Sequence, residues 1–177
     1  MFTREFLRDA YRHMEWADAE VWAAVPLDGP PDPRLRLLLV HVHTVQRAFL
    51  WMWTAKPLTD AFRAPESFAT LDEVRTWAQP LYDELAAFLY LQNDESLAAP
   101  FALPWAKLIE PRIGRPPAIS TLGDTCFQVA SHSTYHRGQI NARLRELGAV
   151  PPLVDYIAWV WSGKPTPSWR AVGELKP

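Results

Sequence analysis

From 121 to 148 the chain runs without a proline, although it carries 17 in all. Inside that stretch Leu122, Cys126, Val129, Ser133, His136, Ile140, Leu144 and Leu147 recur at steps of three and four, the period of one helical face. A helix of this length spans about 40 Å, so its apolar row needs partners of comparable length. Its ends are written into the chain as well. Thr121 with Asp124 three residues on is a capping-box opening. Gly148 suits a C-cap, and Pro151-Pro152 forbids continuation.

Three further segments carry the same period. Phe6, Ala10, Met14, Ala17, Val21 and Ala24 mark a first helix, closed by the run 27–32 with Gly29, Pro30 and Pro31. Asp32-Pro33 opens a second, an N-cap acceptor followed by proline at the first helical position. Leu38, Val42, Val45, Phe49 and Met52 form its apolar row, and Lys56-Pro57 ends it. A third begins at Thr70, with Glu73 completing a capping box, and runs through Leu71, Val74, Ala78, Leu81, Leu85 and Phe88. Pro80 lies inside it and predicts a kink or a late start.

Four such helices make an all-α four-helix bundle. The connection 93–120 contains Pro100, Pro104, Pro111, Pro116 and Pro117 and reads as a long crossover loop rather than a further helix, with room for two short β segments near 107–113. A short C-terminal helix over 155–161 would pack Tyr156, Trp159 and Val160 back on the bundle. With no internal repeat and no linker, 1–177 reads as a single domain.

Composition narrows the function. A net charge of −2 with no Lys/Arg-rich run lacks the footprint of a nucleic-acid binder. No stretch approaches the ~20 apolar residues of a membrane span. The N-terminal residues lack the apolar core of a signal peptide, and Cys126 is the only cysteine, so no intramolecular disulfide can form. The expectation is a soluble, cytoplasmic protein.

The chemistry-bearing residues are histidines. His132 and His136 lie four apart on the long fourth helix, one turn from each other, at the roughly 5–6 Å Cβ spacing from which two imidazoles can close on one metal ion. On the second helix His41 neighbours Leu38 and Val45 and can face the interior. His43 is rotated from it by about 200°, shares a side with Gln46 and Arg47, and reads as part of a solvated face. His41 is therefore the third candidate, with His43 the fallback if the helix is turned. His13, between Arg12 and Glu15, reads as exposed. Cys126 sits on the apolar row and reads as packing; Asp124, more than two turns upstream of His132, is too loosely placed to be assigned as a base. His-Glu-x-x-His, paired Glu-x-x-His, phosphate-loop and dinucleotide motifs are all missing.

The block His132-Ser-Thr-Tyr-His136-Arg-Gly-Gln139-Ile140, running to Leu147-Gly148, resembles the signature of the DinB/YfiT-like superfamily, DNA-damage-inducible-type metalloenzymes unrelated to the DNA polymerase that shares the name. Tyr11 to Trp16-Ala17, His41-Val-His-Thr-Val-Gln-Arg47-Ala-Phe49 and Tyr156-Ile157 fit the same pattern, so the resemblance spans nearly the whole chain. Ser131 departs from it, standing where asparagine is common.

The resemblance implies an up-down-down-up bundle in which His41, His132 and His136 hold a divalent metal, nickel or zinc. It also implies frequent homodimers, and relatives that transfer or isomerise with a low-molecular-weight thiol or hydrolyse. Thiol-dependent S-transfer is the leading expectation here, a metal-dependent hydrolase or a non-catalytic metal-binding stress protein the alternatives. Arg137 and Gln139 could bind a substrate carboxylate or bond a ligand from behind; a structural pairing of Arg137 with a carboxylate, and close packing at Gly138, is the slightly favoured reading.

Overall fold

A computed structural model describes residues 2–169, and the described residues are all-α, with no strand among them. The long elements start where their caps are. Helix α1 (Arg4–Ala24) opens with the Thr3 hydroxyl accepting from Phe6 N–H. Helix α2 (Pro33–Trp53) opens with Asp32 accepting from Leu35 N–H at 2.7 Å, with proline at its first position. The third segment breaks at Pro80 into α3 (Leu71–Ala78) and α4 (Leu81–Leu91), the interruption that a proline lacking an N–H imposes.

The connection expected as a loop is partly helical. It holds α5 (Asp94–Ala98), capped by a reciprocal Asn93–Ser96 box, and α6 (Ala106–Ile113), which ends at Gly114. The β segments expected near 107–113 are therefore not there: those residues are α6. The extended pairing lies instead where the connection meets the next helix, at an isolated antiparallel bridge between Pro100 and Thr121. Phe101 N–H donates to Ser120 O and Leu122 N–H to Ala99 O across it.

Helix α7 (Leu122–Glu146) carries the Thr121–Asp124 capping box and ends in a Schellman turn. Ala149 N–H returns to Leu144 O and Gly148 N–H to Arg145 O, with Gly148 at φ +82°, a conformation glycine adopts without steric cost. Helix α8 (Tyr156–Trp161) follows and buries Trp159 against Trp16 and Ala17 of α1.

Packing is organised around α7, which contacts both α1 and α2, while α4 contacts α1 and α2 from the other side. Leu7, Tyr11, Met14, Phe49, Leu50, Leu85, Cys126 and Val129 form one apolar core; Val21, Trp22, Leu35, Leu39, Val42, Ile140 and Leu144 form another. The row read on α7 is buried from Cys126 to Leu144. On α1 the reading is off at one position, since Phe6 is exposed and stacks on Phe2. No helix of the described residues is long and apolar enough to cross a membrane.

Candidate metal centre

His41, His132 and His136 come together. One ring nitrogen of each lies within 4.8 Å of the others, and ring centroids are 4.5 Å apart for His41–His136 and 4.3 Å for His132–His136. Helix α2 supplies the first and α7 the other two, so the site exists only because these helices pack on each other. The Nε2 atoms of His132 and His136 are 3.0 Å apart. Two nitrogens bound to one ion at ~2.0–2.1 Å in a tetrahedral arrangement lie roughly 3.4 Å apart, so this is close to ligand spacing.

The tautomer of His136 follows from its neighbour. Its Nδ1–H donates to Gln139 Oε1 at 2.8 Å, which leaves Nε2 as a lone pair aimed at His132. Burial, then the proximity of His136, lowers the pKa of His41; His132 is lowered by burial and by both other histidines. Both effects favour neutral imidazole, the form that ligates. Ring nitrogens converging from three imidazoles, one ring held from behind, are a fitting donor set for one divalent ion.

The triad opens outward. His41 is exposed and His132 half-buried, and two adjoining cavities of about 410 and about 590 Å³ share His41, Val45, Phe49 and Trp105 in their walls. The first is otherwise nearly all apolar; the second adds His132, Ser120, Asp124, Gln128 and Thr125. Asp124 is occupied with its cap, accepting from Thr121 N–H and hydroxyl, and those bonds hold its pKa down. A further cavity of about 600 Å³ lies on another face of α7, beside Phe127, Thr134 and Asn141, away from the converging nitrogens.

Two histidines are placed differently from their sequence reading. His43 is not on a solvated face: it is 1% exposed, and both its nitrogens are used. Trp22 Nε1–H donates to its Nε2 at 3.0 Å and its Nδ1–H donates to Gln46 Oε1 at 2.8 Å, so it has no lone pair left for a metal. His13 is likewise not exposed; its Nε2–H donates to Val154 O at 2.9 Å beneath the segment leading to α8.

Around His43 lies a polar cluster that the sequence reading missed. Gln46 donates to Asp18 (2.9 Å) and to Ser133 Oγ (3.0 Å), and Tyr82 also donates to Asp18. Arg137 pairs with Asp18 at 2.8 Å, both side chains 3% exposed, and donates to Thr134. Arg137 thus takes the structural reading, and Gln139 bonds the His136 ring from behind. Gly138 packs against nothing, since a Cβ there would meet open space. Cys126 is sealed, its thiol pushed up to about 12 by burial, and is unsuited to nucleophilic work.

The model of the DinB family matches residues 28–167, a span holding all three triad histidines. Protein DinB of Bacillus subtilis (strain 168) is 26% identical over 138 residues, which cover 75% of this chain and 75% of that protein. No solved structure matches the chain.

Proposed function

This chain belongs to the DinB family, and we propose that His41, His132 and His136 hold one divalent metal ion, nickel or zinc, at the centre of a small-molecule enzyme. The observation that carries the reading is the convergence of three ring nitrogens at the meeting point of two cavities. A closed structural site would use four protein ligands; three histidines leave room for an exogenous one.

When bound, such an ion acts as a Lewis acid that makes a thiol or a water nucleophilic near neutral pH. The protein's own part is positional. Gln139 fixes the His136 tautomer, and burial together with the neighbouring imidazoles lowers the pKa of His41 and of His132. The apolar wall of Val40, Val45, Phe49 and Trp105 excludes water and binds the carbon skeleton of a substrate, while Gln128 and Ser120 offer hydrogen bonds on the other side. No side chain is assigned as general base.

Thiol-dependent S-transfer, with a low-molecular-weight thiol as cosubstrate, is the favoured reaction, because the wall beside His41 is apolar and suits a soft, weakly hydrated nucleophile. Hydrolysis is the second reading; the polar wall near Gln128 favours it, since a water needs partners to orient it. Metal content by mass spectrometry of the untagged protein is the first test. About one ion per chain, lost in His136→Ala and in His41→Ala, is expected. Turnover requiring added bacillithiol, mycothiol or glutathione would select transfer, and turnover without thiol would select hydrolysis. Failure to take up nickel or zinc on reconstitution would end the proposal.

A further inference from the structure

The same local device occurs twice in this fold. His136 donates from Nδ1 to Gln139, and His43 donates from Nδ1 to Gln46, each at 2.8 Å and each to the side chain three residues on. Residues at that spacing are neighbours on a helix surface, roughly 5–6 Å apart at Cβ. In both cases the bond selects the tautomer that frees Nε2.

His41 has no such support: no hydrogen bond holds its ring among the described residues, although it is the triad member with most exposure. Three residues on from it stands Thr44. Its Oγ1 is buried, on a side chain 9% exposed, and has no hydrogen-bond partner. Thr44 lines the same cavity wall as His41. A buried hydroxyl without a partner carries a desolvation penalty with nothing to offset it, so its presence there calls for an acceptor or donor that arrives later.

We infer that Thr44 is a positioning residue for His41: its hydroxyl accepts the Nδ1–H of His41 once the ring turns its Nε2 toward the metal. The inference rests on the three-histidine reading of the site. It gives α2 the equivalent of what Gln139 provides on α7, from the same position three residues on from the histidine. Thr44 is then unpaired in the metal-free protein and paired in the metal-loaded one. The hydroxyl therefore destabilises one state and supports the other.

Two readouts on the full-length protein, each taken for wild type, Thr44→Val and Thr44→Ser, test this. One is zinc affinity by competition with a chromophoric chelator. The other is the thermal midpoint in the presence of a strong chelator. Valine keeps the shape and removes the hydroxyl, so zinc affinity should fall about 10–100-fold. The metal-free midpoint of the same variant should rise by about 2–4 °C, because an unpaired polar atom has left the interior. Serine keeps the hydroxyl and should bind zinc within about threefold of wild type. Opposite signs in one variant, with rescue by serine, are not what a packing residue gives. Zinc affinity unchanged in Thr44→Val, or equally weakened in valine and serine, overturns the inference while leaving the triad intact. A wild type that binds no zinc removes the triad and this role together.

Discussion

Helices α2 and α7 carry two polar clusters side by side, built from the same residue types and put to opposite uses. In the closed cluster Asp18, His43, Gln46, Tyr82, Ser133 and Arg137 bond, among the described residues, to one another and to Trp22 and Thr134. In the open cluster His41, His132 and His136 point ring nitrogens at one another with one supporting bond, from His136 to Gln139. Both contain a histidine that donates to a glutamine three residues on, so the motif does not decide the role. The other nitrogen does. On His43 it receives the Trp22 N–H and the ring is finished; on His136 it meets a second imidazole and has a lone pair to offer. The closed cluster holds α1, α2, α4 and α7 in register, and that register fixes the gap across which the open cluster forms.

The strongest way to break the comparison is to unpair the closed cluster. Asp18→Ala leaves Arg137 charged and buried, and loss of one partner of such a pair costs about 3–5 kcal/mol. Urea unfolding should show that loss, with the denaturant slope unchanged. His132→Ala, in the open cluster, should stay within about 1 kcal/mol of wild type because its ring is half-exposed and its lost contact is with another imidazole. A loss below 1 kcal/mol in Asp18→Ala would mean that the cluster does not hold the helices together.

Exchanging the roles of two histidines sharpens the contrast. His43→Leu strands the Trp22 N–H and one side of Gln46, and should cost about 1–3 kcal/mol in folding. The refolded variant should still take up about one zinc per chain. His136→Ala should do the reverse, losing the metal and keeping the fold. Metal lost from both variants with equal loss of stability would erase the division of labour.

The sequence disclosed the elements whose signals are local. Asp32-Pro33, Thr121 with Asp124, Pro80 and Gly148 act within a turn of themselves, and each appears where it was read. The triad was legible too, because His-x3-His and His41 lie on helices long enough for their faces to be assigned. His43 and His13 were misread for one reason: a single apolar stripe implies a polar remainder facing water. Helix α2 is buried around most of its circumference, by α7 and α4 and by Trp22 of α1, and that fact belongs to the partners rather than to α2. His13 is covered by residues 141 positions away. Helix α5 had a usable signal in Asn93-x-x-Ser96, which the prolines downstream obscured.

A smaller effect probes the single support in the open cluster. Gln139→Leu removes the acceptor behind His136, so its ring can exchange tautomers and turn. Zinc affinity should fall about 10–100-fold, measured by chelator competition, while stability moves by less than about 1 kcal/mol because Gln139 is half-exposed. Affinity equal to wild type would show that crowding by His41 and His132 alone orients the ring.

The smallest expected effect concerns His13, the histidine that belongs to neither cluster. Burial lowers its folded pKa below the ordinary 6.5; Arg137 adds to this, while the bond to Val154 and the charges of Asp18 and Asp155 oppose it without cancelling it. The unfolded chain therefore takes up the proton more readily than the folded one. Its contribution to stability is complete above pH 6.5 and is lost as pH falls from there toward the lower folded value. His13→Gln keeps a donor for Val154 O and does not titrate. The difference in thermal midpoint between wild type and this variant, with chelator present, should be constant above pH 7 and shift against the wild type on the way to pH 5. The remaining histidines cancel in that difference, so parallel curves over the whole range would mean that the cover formed by the segment at Val154 opens easily enough to let water reach the ring.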